Sequence, residues 1–185
     1  MIPARIELKV GLVKSDKRWN ELAYFKKHPY EIDFGIATDW PFYKTEVRYV
    51  EADELSAQVL HVGELDMLRC ADNLKILSGE IQAEEAMTVY GLCGWFNAEL
   101  AAGVMLKTGP DEKKTHWKQM HFPLLKPVKV KVGDAVRVEI RPVEDPRGGP
   151  TLWNWSLSNG REQVEMDNSV HHAWIARSLT KGKLV

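Results

Sequence analysis

Apolar and polar residues alternate along most of this chain. From residue 5 to 12, Arg5, Glu7 and Lys9 fall on one side and Ile6, Leu8, Val10 and Leu12 on the other. Successive strand residues face opposite ways, so this stretch predicts a half-buried strand. The clearest hairpin spans residues 128 to 141: Val128, Val130 and Val132 share one face, Gly133-Asp134 supplies the turn, and Val136, Val138 and Ile140 resume the apolar face against Arg137, Glu139 and Arg141. Residues 151 to 158 alternate again, with Trp153, Trp155 and Leu157 together. Further strands are predicted over 58–68, 74–82, 88–100 and 117–125. Helix signals are few. Ser15 is placed to cap a helix carrying Trp19, Leu22 and Ala23 at helical spacing, with Pro29 as its stop, and residues 53–57 predict one short turn. Pro142 to Pro150 reads as a loop. Many short antiparallel strands with one early helical insertion predict a mainly β fold, and periodicity leaves a closed barrel and a sandwich both open.

Composition narrows the classes. With 185 residues, 44% hydrophobic and 28% charged, the chain has material for one domain with a substantial core. A net charge of −1 excludes a general polyanion binder, and no apolar run reaches membrane-spanning length. The start, Met1-Ile2-Pro3-Ala4-Arg5, has no signal-peptide pattern. Cys70 and Cys93 stand far apart, which excludes a zinc ribbon or disulfide scaffold and predicts a reducing, cytoplasmic setting.

Several chemistries lack their residues. No GxG, P-loop, GxSxG or HExxH pattern occurs. His28, His61 and His121 are isolated and read as structural or surface residues. His171-His172 with Asp167 is a poor metal set, because neighbours on a strand point apart, and no metal is expected. Glu84-Glu85 reads as a solvated turn rather than an acid/base pair. Between Lys107 and Lys131 stand seven lysines and two acids, together with His116, Trp117 and His121. Lysines on solvent faces of strands explain this more simply than nucleic-acid binding.

One segment is more specific. Gly94-Trp95-Phe96-Asn97-Ala98-Glu99-Leu100 is followed by Lys107-Thr108-Gly109-Pro110 and then by Thr115-His116-Trp117-Lys118-Gln119. In order and spacing these resemble the strand, the "STGP" turn and the "THWKQ" motif of the C-terminal β-barrel of protein arginine methyltransferases. The hairpin between Pro127 and Pro142 is similar to the family's next strand pair, and Ile2-Pro3-Ala4-Arg5 to the start of its barrel. The resemblance covers roughly residues 2 to 160; the tail beyond Gly160, including Trp174, has no recognisable counterpart.

The resemblance implies an antiparallel barrel over residues 1–160, with residues 15–45 as an arm-like insertion and 161–185 as a tail holding a last strand or a short helix. It implies that Trp19, Phe25 and Trp40, with Tyr24 and Phe42, anchor a dimerisation arm. Thr115 and Trp117 would contact substrate, Trp117 walling the pocket of an arginine, and His116 would be auxiliary, pairing with an acid of a cofactor-binding domain. The methyl-donor site and the glutamates that grip the guanidinium precede the barrel in the family and have no match here. The chain alone is therefore expected to bind no S-adenosylmethionine and to transfer no methyl group, reaching that cofactor only through another domain or chain. The expected role is substrate positioning and assembly with a methyltransferase-fold partner, with an arginine-containing protein as substrate and a homodimer through the arm. The alternatives are a stand-alone protein- or nucleic-acid-binding module derived from that barrel, or an unrelated β-sandwich binding a small molecule through its tryptophans.

Overall fold

The computed structural model describes residues 3–67, 69, 76–144 and 151–168. It is mainly β and entirely antiparallel among those residues. The strands are β1 (Arg5–Val13), β2 (Glu46–Arg48), β3 (Leu55–Asp66), β4 (Leu77–Gln82), β5 (Met87–Ala101), β6 (Val104–Lys107), β7 (Gln119–Val130), β8 (Ala135–Val143), β9 (Leu152–Ser158) and β10 (Gln163–Asp167). One sheet runs β2-β7-β5-β1-β3, with β6 added to the end of β5, and the other runs β10-β9-β8-β4. The two meet along both flanks, where β3 lies against β4 and β10 against β7. Neither flank is a hydrogen-bonded ladder among the described residues.

The alternating residues fill the space between the sheets. Val10 and Leu12 of β1, Leu92 of β5 and Phe122 of β7 face Val138 and Ile140 of β8 and Trp155 and Leu157 of β9 in one buried cluster. A smaller cluster of Val13, Val50, Leu55, Cys93 and Trp95 covers the opposite face of the larger sheet. That second layer breaks the alternation expected of β1. Leu55 and Trp95 lie over the buried Gly11, where an added Cβ would stand 3.2 Å from Leu55 and 3.4 Å from Trp95.

Strand β7 departs most from expectation. Sequence periodicity predicts separate strands at 117–125 and from 128, whereas one strand runs through both. Its pairing with β5 slips between Val89↔Val128 and Gly91↔Pro123, leaving Leu124 to Pro127 opposite Tyr90 alone. Pro123 and Pro127 have no N–H to give a ladder, so β7 bulges between them. The stranded carbonyls take indole donors instead. Trp155 Nε1 donates to Pro123 at 2.9 Å and Trp19 Nε1 to Leu124 at 2.9 Å.

Residues 15–45 fold onto this body. Helix α1 (Lys17–Leu22) starts from Asp16 with no side-chain cap; Ser15 Oγ only reaches the Lys17 N–H at 3.4 Å, so the expected Ser15 cap is not formed. The expected stop at Pro29 also fails. The helix ends at Leu22, and 3-10 turns follow at Tyr24–Lys27, Pro29–Glu31, Gly35–Thr38 and Trp40–Tyr43. Pro29 fits there because it stands at the first position of its turn, where no N–H is needed. Phe42 is fully buried against Trp19 at 5.6 Å. The turn expected at 53–57 is a 3-10 turn at Ala52–Glu54, closed by a reciprocal cap between Glu51 and Glu54. Sequence periodicity gave no sign of β2 or β6, which are three and four residues long.

Trp155 both fills the core and satisfies a buried carbonyl. Trp155→Ala is expected to cost about 3–5 kcal/mol, the range for a large aromatic lost from a core. A urea unfolding midpoint within error of wild type would show that the bulge is not held this way.

Candidate functional site

The motif segments converge at one end of the two-sheet body, and their polar side chains build the scaffold. Thr108, 1% exposed, bonds twice to β5: its hydroxyl donates to the Phe96 carbonyl at 2.7 Å and accepts from the Phe96 N–H at 3.1 Å. Gly109 follows because a Cβ there would stand 2.7 Å from Asp111 Oδ1 and 3.1 Å from Trp95 Nε1. Gln119 ties this turn to the next segment. Its amide N–H donates to the Thr108 carbonyl at 2.7 Å, and its amide oxygen accepts from the Val50 N–H at 3.0 Å.

Between these fixed points the chain presents the turn Thr115-His116-Trp117-Lys118. The Lys118 N–H donates to the Thr115 carbonyl at 3.3 Å, and Lys118 takes a φ of 55° to close it. His116 is exposed and Trp117 is 47% exposed. Their rings lie 3.8 Å apart at 33°. Trp117 meets the edge of Phe96 at 6.4 Å. Phe96 also walls an apolar cavity of about 330 Å³ between the sheets, bordered among the described residues by Ile6, Leu8, Leu65, Met120 and Trp153. The Thr115 hydroxyl oxygen is buried without a hydrogen-bond partner among the described residues.

Beside the turn lies a charged layer. Glu46 of β2 receives the Arg18 guanidinium as a fork, with Nε at 2.9 Å and Nη2 on the other oxygen, while Arg18 Nη1 reaches Glu21 at 2.7 Å. His121, 2% exposed, places Nδ1 3.6 Å from Glu46. Burial by itself would raise the Glu46 carboxyl, but the His121 imidazole and the Arg18 fork outweigh it and hold it at about 2. Burial lowers His121 below its ordinary value despite Glu46. Arg48 Nη2 donates to both carboxylate oxygens of Glu54, at 3.0 and 3.1 Å. Burial pushes the Cys93 thiol up to about 12, so it is no nucleophile near neutrality.

Thr115, His116 and Trp117 thus sit together, and the arm residues stand apart from them. Trp19 turns inward onto the core, packing on Phe42 and Tyr90. Phe25 is 39% exposed and packs on Tyr24 and Phe34. Trp40 is half-buried at the start of its 3-10 turn. His28 and His61 are exposed, and Glu84-Glu85 forms an exposed bend in which Glu85 meets Lys14 at 2.9 Å. Cys70, His171, His172 and Trp174 lie outside the described residues. Among the described residues no three His, Cys, Asp or Glu side chains are grouped to hold a metal. Nor is any helix among them long and apolar enough to cross a membrane. Sequence reasoning missed Tyr49, whose hydroxyl donates to the Thr115 carbonyl at 3.0 Å, and the Arg18–Glu46–His121 row. No spacing rule signals either, because each joins segments distant in sequence.

Comparison with known proteins places the chain in a family. Residues 7–171 match the arginine methyltransferase oligomerization subdomain, and the chain belongs to that family. The match runs past residue 160, where the motifs ended, and takes in β10. Among curated relatives, an arginine N(omega)-methyltransferase of Streptomyces achromogenes subsp. streptozoticus is 32% identical over 110 residues, covering 58% of this chain and 27% of that protein. Human protein arginine N-methyltransferase 2 is 26% identical over 148 residues, covering 72% of this chain and 34% of that protein. Among solved structures, the Trypanosoma brucei PRMT1 enzyme-prozyme heterotetrameric complex with AdoHcy superposes with a TM-score of 0.76 at 18% identity, over 89% of this chain and 56% of that one. Arabidopsis thaliana protein arginine methyltransferase 10 gives 0.62 at 16%, over 89% and 59%. The chain therefore spans about a third or less of the curated relatives and somewhat over half of the solved chains.

The charged layer makes stability depend on pH. The His121 pKa in the fold lies below the ordinary 6.5, so below pH 6.5 the unfolded chain takes up a proton that the fold refuses, and stability falls as pH drops. Glu46, at about 2 against an ordinary 4.5, stabilises fully above pH 4.5 and loses that contribution as pH falls toward 2. Unfolding free energies from urea melts taken from pH 7.5 downward should decline at up to about 1.4 kcal/mol per pH unit from His121 alone. His121→Gln should flatten the limb just below pH 6.5, and Glu46→Gln the limb below pH 4.5. Equal slopes in wild type and both variants would refute the assignment.

Proposed function

We propose that this chain acts as the barrel-type half of a protein arginine N-methyltransferase-like assembly, positioning substrate and docking on a methyltransferase-fold domain or chain. The observation that carries the reading is the THW turn, which presents a half-exposed Trp117 against the edge of Phe96, itself a wall of an apolar cavity of about 330 Å³. Apolar surface of this kind, grouped rather than scattered, marks an interaction site. A docked domain would bury Trp117, Phe96 and the mouth of the cavity together.

Within such an assembly the chain's own residues have limited tasks. Trp117 offers an aromatic face against which a guanidinium can stack. His116, stacked on Trp117, can pair with a carboxylate on the docked domain and fix the closure angle. In this reading the carboxylates that grip a guanidinium and the methyl donor, S-adenosylmethionine, belong to the partner. The chain by itself is inactive in this reading. The arm supplies a second contact, with Tyr24 46%, Phe25 39% and Tyr30 84% exposed. Two chains docking through these arms would give a homodimer or a larger assembly.

The lysine-rich stretch does not favour nucleic acid. Lys107 pairs with Glu112 at 3.1 Å and Lys114 with Glu51 at 2.5 Å, so two of its seven lysines are answered by neighbouring carboxylates.

Isolation of the chain from its source, followed by mass spectrometry, should recover a stoichiometric polypeptide with a glycine-rich methyl-donor motif. The reconstituted pair should transfer labelled methyl groups to arginine-containing peptides, while this chain alone does not. His116→Ala and Trp117→Ala should each keep the wild-type circular dichroism spectrum and weaken docking by about tenfold or more, as for exposed aromatic anchors at interfaces. Unfolding of both variants, with no docking detectable in wild type, would sink the reading.

A further inference from the structure

We propose that Tyr49 is a positioning residue for the THW turn, and that β2 links the arm to that turn through it. The inference deepens the docking role proposed above and rests on it for its functional meaning, but its geometry stands alone. Of the hydrogen bonds to the backbone of residues 115–118 among the described residues, one comes from outside the turn and its neighbouring strand: the Tyr49 hydroxyl on the Thr115 carbonyl at 3.0 Å. The same tyrosine grips both stems of the turn. Lys114 Nζ lies 5.4 Å and Lys118 Nζ 5.3 Å from the centre of its ring, within cation–π range. Residues 114, 115 and 118 therefore all converge on one side chain.

The turn needs such a hold. Lys118 sits at φ 55°, which its Cβ disfavours, and the bond closing the turn is 3.3 Å long. Released, Lys118 would relax to an extended conformation and swing Trp117 away from Phe96. Tyr49 can supply the hold because its own backbone is fixed on both sides. Arg48 pairs with Gln119 in the β2–β7 ladder, and the Val50 N–H donates to the Gln119 amide oxygen at 3.0 Å. Three residues before Tyr49, Glu46 takes the Arg18 fork from α1. A shift of α1, as when the arm engages a partner, would thus be carried along β2 to the THW turn.

The test separates this role from general stability and from docking. Amide hydrogen exchange of the purified 185-residue chain should show the Lys118 amide exchanging about fivefold faster in Tyr49→Phe, the effect of one lost hydrogen bond of ordinary strength. Tyr49→Ala, which also removes the ring, should accelerate it by more than about tenfold. Amides of β1 and β5 that exchange by local opening away from the turn should keep wild-type rates, and the urea midpoint of Tyr49→Phe should fall by no more than that one bond accounts for. Arg18→Ala should loosen the same amide by a smaller factor, because it acts through β2. Lys118 exchange within about twofold of wild type in both Tyr49 variants would overturn the positioning role. Faster Lys118 exchange in Tyr49→Ala, with a wild-type rate in Arg18→Ala, would overturn the link to the arm. A loosened turn with unchanged partner affinity would uphold Tyr49 as positioning residue and count against the docking reading instead.

Discussion

The interruption of β7 is the constraint from which most of this structure follows. A strand containing Pro123 and Pro127 cannot keep an unbroken ladder with β5, so four of its residues bulge opposite one. Pro123 and Leu124, where the bulge begins, are buried, and there a carbonyl without a donor costs as much as a lost hydrogen bond. Two indole N–H groups meet that need, and they come from different places. Trp155 belongs to the second sheet and Trp19 to the insertion. The defect in one strand therefore fixes how the sheets face each other and where the insertion lies. Both tryptophans bring large apolar surface to the same spot, so the polar and the hydrophobic requirements select one arrangement.

On the other face of the larger sheet, the constraint is charge. Glu46, Arg18, His121, Arg48 and Glu54 sit under partial or full burial, where an unpaired charge would be expensive. Each cation there faces a carboxylate, and His121 stays neutral between them. This layer holds β2, which is only three residues long and could not persist on its own ladder bonds. Because β2 lies directly against the start of β7, the charge layer reaches the THW turn through one peptide segment.

In that turn the flanks and the tip differ in what they hold. Thr108 and Gln119 are buried and spend their polar groups on backbone partners, so they are scaffold. His116 and Trp117, between them, face outward. The flanks of this loop are locked by buried polar side chains while its aromatic pair stays outside the core, as binding loops on a rigid scaffold do.

Local pattern determined much of this protein. The alternation in β1, the turn at Gly133-Asp134 and the apolar face of β9 were legible because strand periodicity and turn chemistry are properties of neighbouring residues. The motif around Thr115, His116 and Trp117 was legible because its residues are close in sequence. Tertiary structure decided the rest. No neighbour of Trp19 tells that its indole will serve a carbonyl 105 residues away, and without that knowledge it reads as an arm anchor like Phe25. Strands β2 and β6 are too short to carry a period, and exist because β7 and β5 offer them an edge. His121 looked like any isolated histidine until β2 placed Glu46 opposite it, and Tyr49 like any surface tyrosine until the chain returned, 66 residues later, to put Thr115 within reach. Contacts between remote segments depend on how sheets stack and bulge, which is a property of the whole core and not of any window along the chain.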